Sequence, residues 1–166
     1  HDYSVYIASS KVDAVRELEV VRAFQGRQVD GIIVSSSRVG DRYADLLKET
    51  GVPIVLVNNH AEGKNIYAVY HDDYGGACAM AEHLIACGYR FIAYLGNSRA
   101  GRANTERLRA WRDTLAAAGL PAAVQVPGIN GRLQAGLLAV EPLIEQAQQA
   151  WGRLPDAVLC YNDTMA

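Results

Sequence analysis

Short apolar runs alternate along this chain with longer stretches in which apolar residues return every three or four positions. The first pattern is that of strands and the second that of amphipathic helices. "YSVYIA" (3–8) predicts a strand. Residues 13–27, "DAVRELEVVRAFQGR", predict a helix, with Val15, Leu18, Val21 and the following Val29 near its buried side. "GIIVS" (31–35) is a continuous apolar strand, the kind buried on both faces of a parallel sheet. A helix over about 41–50 and the strand "PIVLV" (53–57) come next. Between them, Gly51 suits a helix C-cap and Pro53 the start of a strand.

Residues 58–65, "NNHAEGKN", are polar and turn-like, and "IYAVY" (66–70) is again strand-like. A helix over 74–87, the strand "FIAYLG" (91–96) and a helix over 104–118 follow. Leu108, Trp111, Leu115 and Ala118 share one face of that last helix. "AAVQV" reads as a short strand, 132–150 as helical and "DAVLCY" as the closing strand. Pro142 inside the 132–150 pattern predicts a kink or two helices. Repeated β-α units imply parallel sheets with right-handed crossovers, hence an α/β fold. One strand follows another across 58–70 without a helix, which predicts a boundary there. The expected lobes are 1–70 and 71–166. One doubly wound sheet with an added edge strand is the alternative.

Composition narrows the function. The 166 residues, half of them hydrophobic, can bury a core the size of one ordinary domain. A formal charge of −2 does not favour this segment gripping a nucleic-acid backbone by itself. No apolar run reaches the roughly 18–20 residues that cross a bilayer, and no signal peptide heads the chain, so no membrane partner is expected. His1, not Met, stands first, compatible with a longer natural N-terminus. Cys78, Cys87 and Cys160 lack CxxC spacing and sit in apolar patterns, so buried thiols in a reducing compartment are expected.

Candidate chemistry is sparse. "GNSRAGRA" (96–103) lies between a strand and a helix as a phosphate loop would, but Arg102 and Ala103 stand where Lys and Ser or Thr are needed. It reads as a connecting loop. "HDD" (71–73) has the residue types of a metal cluster, yet a carboxylate just before "YGGACAMAEHL" suits a helix N-cap better. No nucleophile motif argues for catalysis, and no cofactor or metal site is expected. In "NTERLRAWRDTL" (104–115), Arg107 and Arg109 oppose the helix dipole in its first turns. They are either a solvated face offset by Glu106 and Asp113, or a guanidinium aimed at vicinal hydroxyls or a carboxylate. Either way, a cation there adds little to the helix, and removing Arg107 is expected to leave stability nearly unchanged. Asn58 and Asn59 follow one predicted strand, and Asn162 and Asp163 another. Polar groups just beyond the carboxyl ends of parallel strands are where ligands bind in open α/β sheets.

Taken in order, "VDGIIV" (29–34), "PIVLVNN" (53–59), "HDDYGGACAMAEHLIACGYRFIAYLG" (71–96), "RLRAWRDTLAAAG" (107–119) and "DAVLCYNDTMA" (156–166) resemble the effector-binding core of the LacI/GalR repressors. The resemblance covers essentially the whole chain. It implies two Rossmann-like lobes with parallel sheets, of the type I periplasmic-binding-protein kind. A sugar or similar metabolite would bind in the cleft between them. By the same resemblance, Arg107 occupies the place of the ligand-binding arginine, and Asp163 the acidic position of the "ND" motif. Asn58 closes the third strand where Asp is usual, Asn59 lies beside it, and Ser35 falls at another cleft-lining position. The family's first strand and its C-terminal portion are missing from this chain. Its partners would be the effector, operator DNA through an N-terminal helix-turn-helix absent here, and a second copy in a homodimer. The implied function is a cytoplasmic, non-enzymatic sensor in which a bound ligand changes operator affinity. A secreted solute-binding protein of a transporter is the alternative.

Overall fold

The computed structural model describes residues 3–11, 13–35 and 51–166. The helix predicted over 41–50 lies outside them. The chain divides into two compact units, His1–His71 and Asp72–Ala166.

In the first unit, α1 (Ala14–Gly26) starts at Asp13, whose carboxylate accepts the Arg16 N–H at 2.8 Å. Strands β1 (Ile32–Ser35), β2 (Ile54–Val57) and β3 (Ile66–Val69) form one parallel sheet in the order β1-β2-β3. Ile32, Ile54 and Ile66 stand in register across it. Strand β3 therefore remains in the first sheet. Parallel neighbours usually need a crossover of a dozen or more residues. The shorter link 58–65 is bracketed by Asn58 and Asn65, whose φ of 58° and 65° turn the chain sharply in the left-handed region that Asn tolerates. Val21, Ile32, Ile54 and Leu56 make the core, with Leu18 and Phe24 against it.

Three expectations fail in this unit. Residues 3–10 are not a strand, and Tyr3, Val5 and Ile7 are exposed. Alternation becomes a strand only when a neighbour takes up the backbone N–H and C=O groups, and no described strand runs beside them. Strand β1 is not covered on both faces among the described residues, because Ile33 points to solvent with Tyr67 and Val69. Val15 is exposed as well, since it lies about 100° around the helix from Ala14, off the face formed by Ala14, Leu18 and Val21.

The second unit has α2 (Asp73–Ala86), β4 (Ile92–Asn97), α3 (Arg102–Ala117), β5 (Gln125–Gly128), α4 (Leu133–Trp151) and β6 (Ala157–Cys160). Its parallel sheet has the order β5-β4-β6, so β4 is central and buried along its whole length. Ile92 and Tyr94 pack on one face with Trp111, Leu115 and Leu159. Ala93 and Leu95 pack on the other with Ala135, Ala139, Leu143 and Met165. Ala118 falls just past the end of α3 and is exposed, outside the predicted face. Helix α4 is one helix through Pro142, not two. Pro142 and Leu138 are both exposed, where water can take the carbonyl that the missing N–H leaves free. The cysteines are unpaired, but Cys87 is exposed at the end of α2 rather than buried, and only Cys78 and Cys160 are partly covered.

Asp156, at the entrance to β6, accepts the backbone N–H groups of Arg90 and Phe91 at 3.0 and 3.1 Å. These bonds, helped by Arg153 nearby, hold its carboxyl below the usual range. Its stabilising effect is therefore present above the unfolded value near 3.8 and is lost as pH falls through the lower folded value. Asp156→Ala is expected to lower stability at neutral pH, with the gap to the parent protein closing below about pH 4. Urea midpoints measured across that range check it, and a gap constant with pH would contradict it.

Candidate functional site

In the second unit the carboxyl ends of β4, β5 and β6 share one edge of the sheet, and four side-chain systems converge there. The first begins at the start of α2. The sequence puts the capping carboxylate directly before Tyr74, at Asp73, but Asp72 is the cap, accepting the Gly75 N–H at 2.8 Å. The cap requires glycine at 75, because a Cβ there would lie 2.3 Å from Asp72 Oδ2. Asp73, the next residue, is thereby set on the helix and turned towards α3. It receives Arg107 Nε at 2.9 Å and Nη2 at 2.7 Å, both on Oδ1. Arg107 Nη1 donates to the carbonyl of Tyr161, and the guanidinium lies over the Tyr161 ring at 4.6 Å.

Arg107 thus joins α2, α3 and the turn after β6, which corrects the expectation that removing it leaves stability nearly unchanged. Local sequence treats it as a helix-surface cation, whereas its partners lie 34 and 54 residues away. Arg109 is the solvated one: 56% exposed, paired with Glu106 at 2.6 Å and stacked on Tyr74. The Tyr74 hydroxyl donates to Asp113 at 2.9 Å, and that carboxylate raises its pKa to about 12.

Asn104 forms the second system. Its Oδ1 accepts the Tyr94 hydroxyl at 3.1 Å and the Asn97 N–H at 2.8 Å, fixing the end of β4 to α3. Burial pushes the Tyr94 hydroxyl pKa well up, against the pull of Arg107, so this phenol stays a neutral donor. Asn97 and Asn162 supply the other two. Asn162 donates to the Gly131 carbonyl at 2.9 Å and accepts the Met165 N–H at 3.1 Å, pinning the turn that carries Asp163. Burial alone raises the Cys160 thiol pKa, so it remains protonated beneath the site.

The predicted site residues fall on two sheet edges, one in each unit. Asp163 is exposed, and among the described residues its Oδ1 accepts only the neighbouring Thr164 N–H, at 3.0 Å. It makes no hydrogen bond with Arg107, which instead holds Tyr161 two residues before it. In the first unit, Ser35 ends β1 and is exposed. Asn58 follows β2, exposed, with its N–H bonded to the Val69 carbonyl at 2.8 Å. Asn59 Oδ1 accepts the His60 N–H at 2.8 Å. Ser35 and Asn58 therefore stand at the carboxyl ends of adjacent parallel strands. The sequence reading passed over Asp73 as an acceptor, and Asn97 and Asn104 entirely. Asp73 had a local explanation as a cap, and a single Asn after a strand looks like any turn.

All of residues 1–166 match the family described as periplasmic binding proteins and sugar binding domain of the LacI family. The chain belongs to this family. Catabolite control protein A of Staphylococcus xylosus is 28% identical over 167 residues, an overlap of 100% of this chain and 49% of that protein. The HTH-type transcriptional regulator RegA of Clostridium saccharobutylicum is 27% identical over 113 residues, covering 68% of this chain and 32% of that one. Among solved structures, the transcription regulator GntR from Chromobacterium violaceum superposes with a TM-score of 0.79 at 23% identity, over 99% of this chain and 59% of that one. That likeness establishes the LacI-type, periplasmic-binding-protein-like α/β fold. This LacI-family chain spans about half the length of catabolite control protein A.

Proposed function

We propose that this chain is the effector-sensing part of a LacI-type transcriptional regulator. The bound effector is a sugar or similar neutral polyol. Ser35, Asn58, Asn59, Arg107 and Asp163 are the residues put forward to contact it. The observation that carries this reading is Arg107, held rigidly at the carboxyl ends of the strands by a carboxylate and a carbonyl. Asp73 and the Tyr161 carbonyl take three of the guanidinium's five N–H groups, which leaves one on Nη1 and one on Nη2. Its remaining N–H groups suit hydroxyl oxygens.

In the full-length regulator, a homodimer in the cytoplasm, a helix-turn-helix reads operator DNA. Effector binding shifts the conformational equilibrium by its differential affinity for the two states, and so changes operator affinity. The chain has no catalytic role. Among the described residues no helix is long and apolar enough to cross a membrane. Support comes from the match to a LacI-family sugar-binding domain and from a relative named as an HTH-type regulator. A calorimetric screen of pentoses, hexoses, polyols and nucleobases against the full-length protein, with and without operator DNA, tests it. No binding, or binding that leaves operator affinity unchanged, would refute it.

Asp163 gives a sharper check. As a turn residue alone, it would tolerate Asn, which keeps an acceptor for the Thr164 N–H. As a ligand contact it offers two acceptor oxygens, and Asn turns an NH₂ donor towards the ligand in place of one. Asp163→Asn is expected to lower effector affinity about ten-fold or more, on the scale of roughly 1–3 kcal/mol for an unpaired donor. Operator binding without effector should persist. Matching affinities would remove Asp163 from the site.

A further inference from the structure

Asn97 ends the central strand of the second unit and is only 8% exposed, one of two buried polar residues among those described. Strand alternation sends its side chain to the face of Ala93 and Leu95, beneath the turn that leads into α4. Its backbone is fully used: the N–H bonds Asn104 and the carbonyl accepts the Ala100 N–H at 3.1 Å. Its side-chain Oδ1 accepts the Arg99 N–H at 3.0 Å, which fixes the amide orientation and turns Nδ2 the other way. Nδ2 carries two N–H donors, and neither meets an acceptor among the described residues. The nitrogen is not sealed in, since the fully enclosed side-chain atoms without partners among the described residues are the indole nitrogens of Trp111 and Trp151, so Asn97 presents its unused donor at an opening where a ligand can meet it.

The surroundings locate that occupant. A Cβ added to Gly131 would lie 3.0 Å from Asn97 Nδ2 and 3.0 Å from Asn162 Nδ2. Two carboxamide nitrogens, from the ends of β4 and β6, therefore approach one glycine, and its missing side chain keeps the space beside them open. Asn162 spends one N–H on the Gly131 carbonyl and retains a second. The result is a small group of N–H donors at the strand ends.

We infer that Asn97 is a further ligand-contacting residue, donating from Nδ2 to an oxygen of the molecule bound at the carboxyl end of β4. The inference rests on the effector-binding reading and adds a selectivity to it. The ligand presents an acceptor oxygen here, a hydroxyl, ring or carbonyl oxygen. An ammonium or amidinium group would offer Asn97 Nδ2 no acceptor and would leave that donor unpaired.

The test uses the full-length protein with D-ribose, D-xylose, D-glucose and D-galactose as probes, each titrated calorimetrically. Asn97→Asp keeps the acceptor for Arg99 and deletes the donor, and Asn97→Ala deletes both. Each variant is expected to bind the sugar recognised by the parent protein at least about ten-fold more weakly. In the parent protein, the Asn97 side-chain amide resonances should shift on sugar addition, which a purely structural amide would not do. Unchanged affinity in folded variants overturns the inference and leaves the effector reading intact. If the variants do not fold, amide resonances that stay put while sugar binds to the parent overturn it equally. If none of the pentoses, hexoses, polyols and nucleobases of the wider screen binds the parent, the effector reading itself fails and this inference falls with it.

Discussion

Arg107→Ala is expected to lose on two measurements at once. Effector affinity should fall by about 1.5–3 kcal/mol, the scale of a hydrogen bond to a charged group, or roughly ten- to 150-fold. Stability of the second unit should fall by about 1–3 kcal/mol, because the change strands both partners. Asp73, with its side chain 16% exposed, loses its only ion pair, and the Tyr161 carbonyl loses its donor. The estimate stays below that for a fully buried pair because the Arg107 side chain is itself 29% exposed and partly screened. Arg107→Lys keeps the charge but cannot span Asp73 and Tyr161 with one planar group, so it should recover only part of either loss. Arg109→Ala should do far less, since Arg109 answers only to Glu106 and the Tyr74 ring on the helix surface. Calorimetry and urea unfolding on the three variants decide it. A destabilised Arg107→Ala that binds effector like the parent would make the arginine an internal clamp and nothing more.

Trp111→Ala should produce the largest loss of stability in the chain, about 3–5 kcal/mol. The indole is fully buried between Ile92, Leu115 and Leu159, with its ring 5.6 Å from that of Tyr94. Removing it leaves a cavity between α3 and the sheet that rigid strand β4 cannot collapse to fill. The tilted Tyr94 hydroxyl, which reaches Asn104, would lose its packing support, so the site should loosen together with the core. Trp111→Phe should cost much less, under about 1.5 kcal/mol. Phenylalanine keeps most of the ring contact and deletes the Trp111 indole N–H, which is buried without a partner. Chemical unfolding followed by circular dichroism compares them. Equal losses for Ala and Phe would show that retained ring contact does not set the stability of the cluster.

Much of this architecture was legible before any coordinates. The succession of strands and helices in the second unit follows from periodicity. So does the buried face of α3, since Trp111 and Leu115 are four positions apart on a helix whose other residues are mostly polar. An acidic cap at the start of α2 was equally local, though it falls on Asp72, one residue before the expected Asp73. Local rules misled where a second segment had the deciding vote. Residues 3–8 alternate as a strand should, yet no described neighbour pairs with them. Cys87 sits in an apolar helical pattern but at its last, solvent-facing position.

The site divides the same way. By itself the sequence determined which polar residues stand beyond the strand ends, because strand length and turn chemistry are local properties. That marked Asn58, Asn59, Asn162 and Asp163 as candidates, while the resemblance to the LacI/GalR effector-binding core added Ser35 and the ligand-binding role of Arg107. Only the tertiary structure decided that Asp73 is spent on Arg107, that Asn104 ties the end of β4 to α3, and that Asn97 is buried with a free donor. Those outcomes depend on distance in space between groups far apart in the chain. Hydrogen-bond energy falls steeply over an ångström or two, and sequence spacing beyond a helical turn does not encode distance that finely.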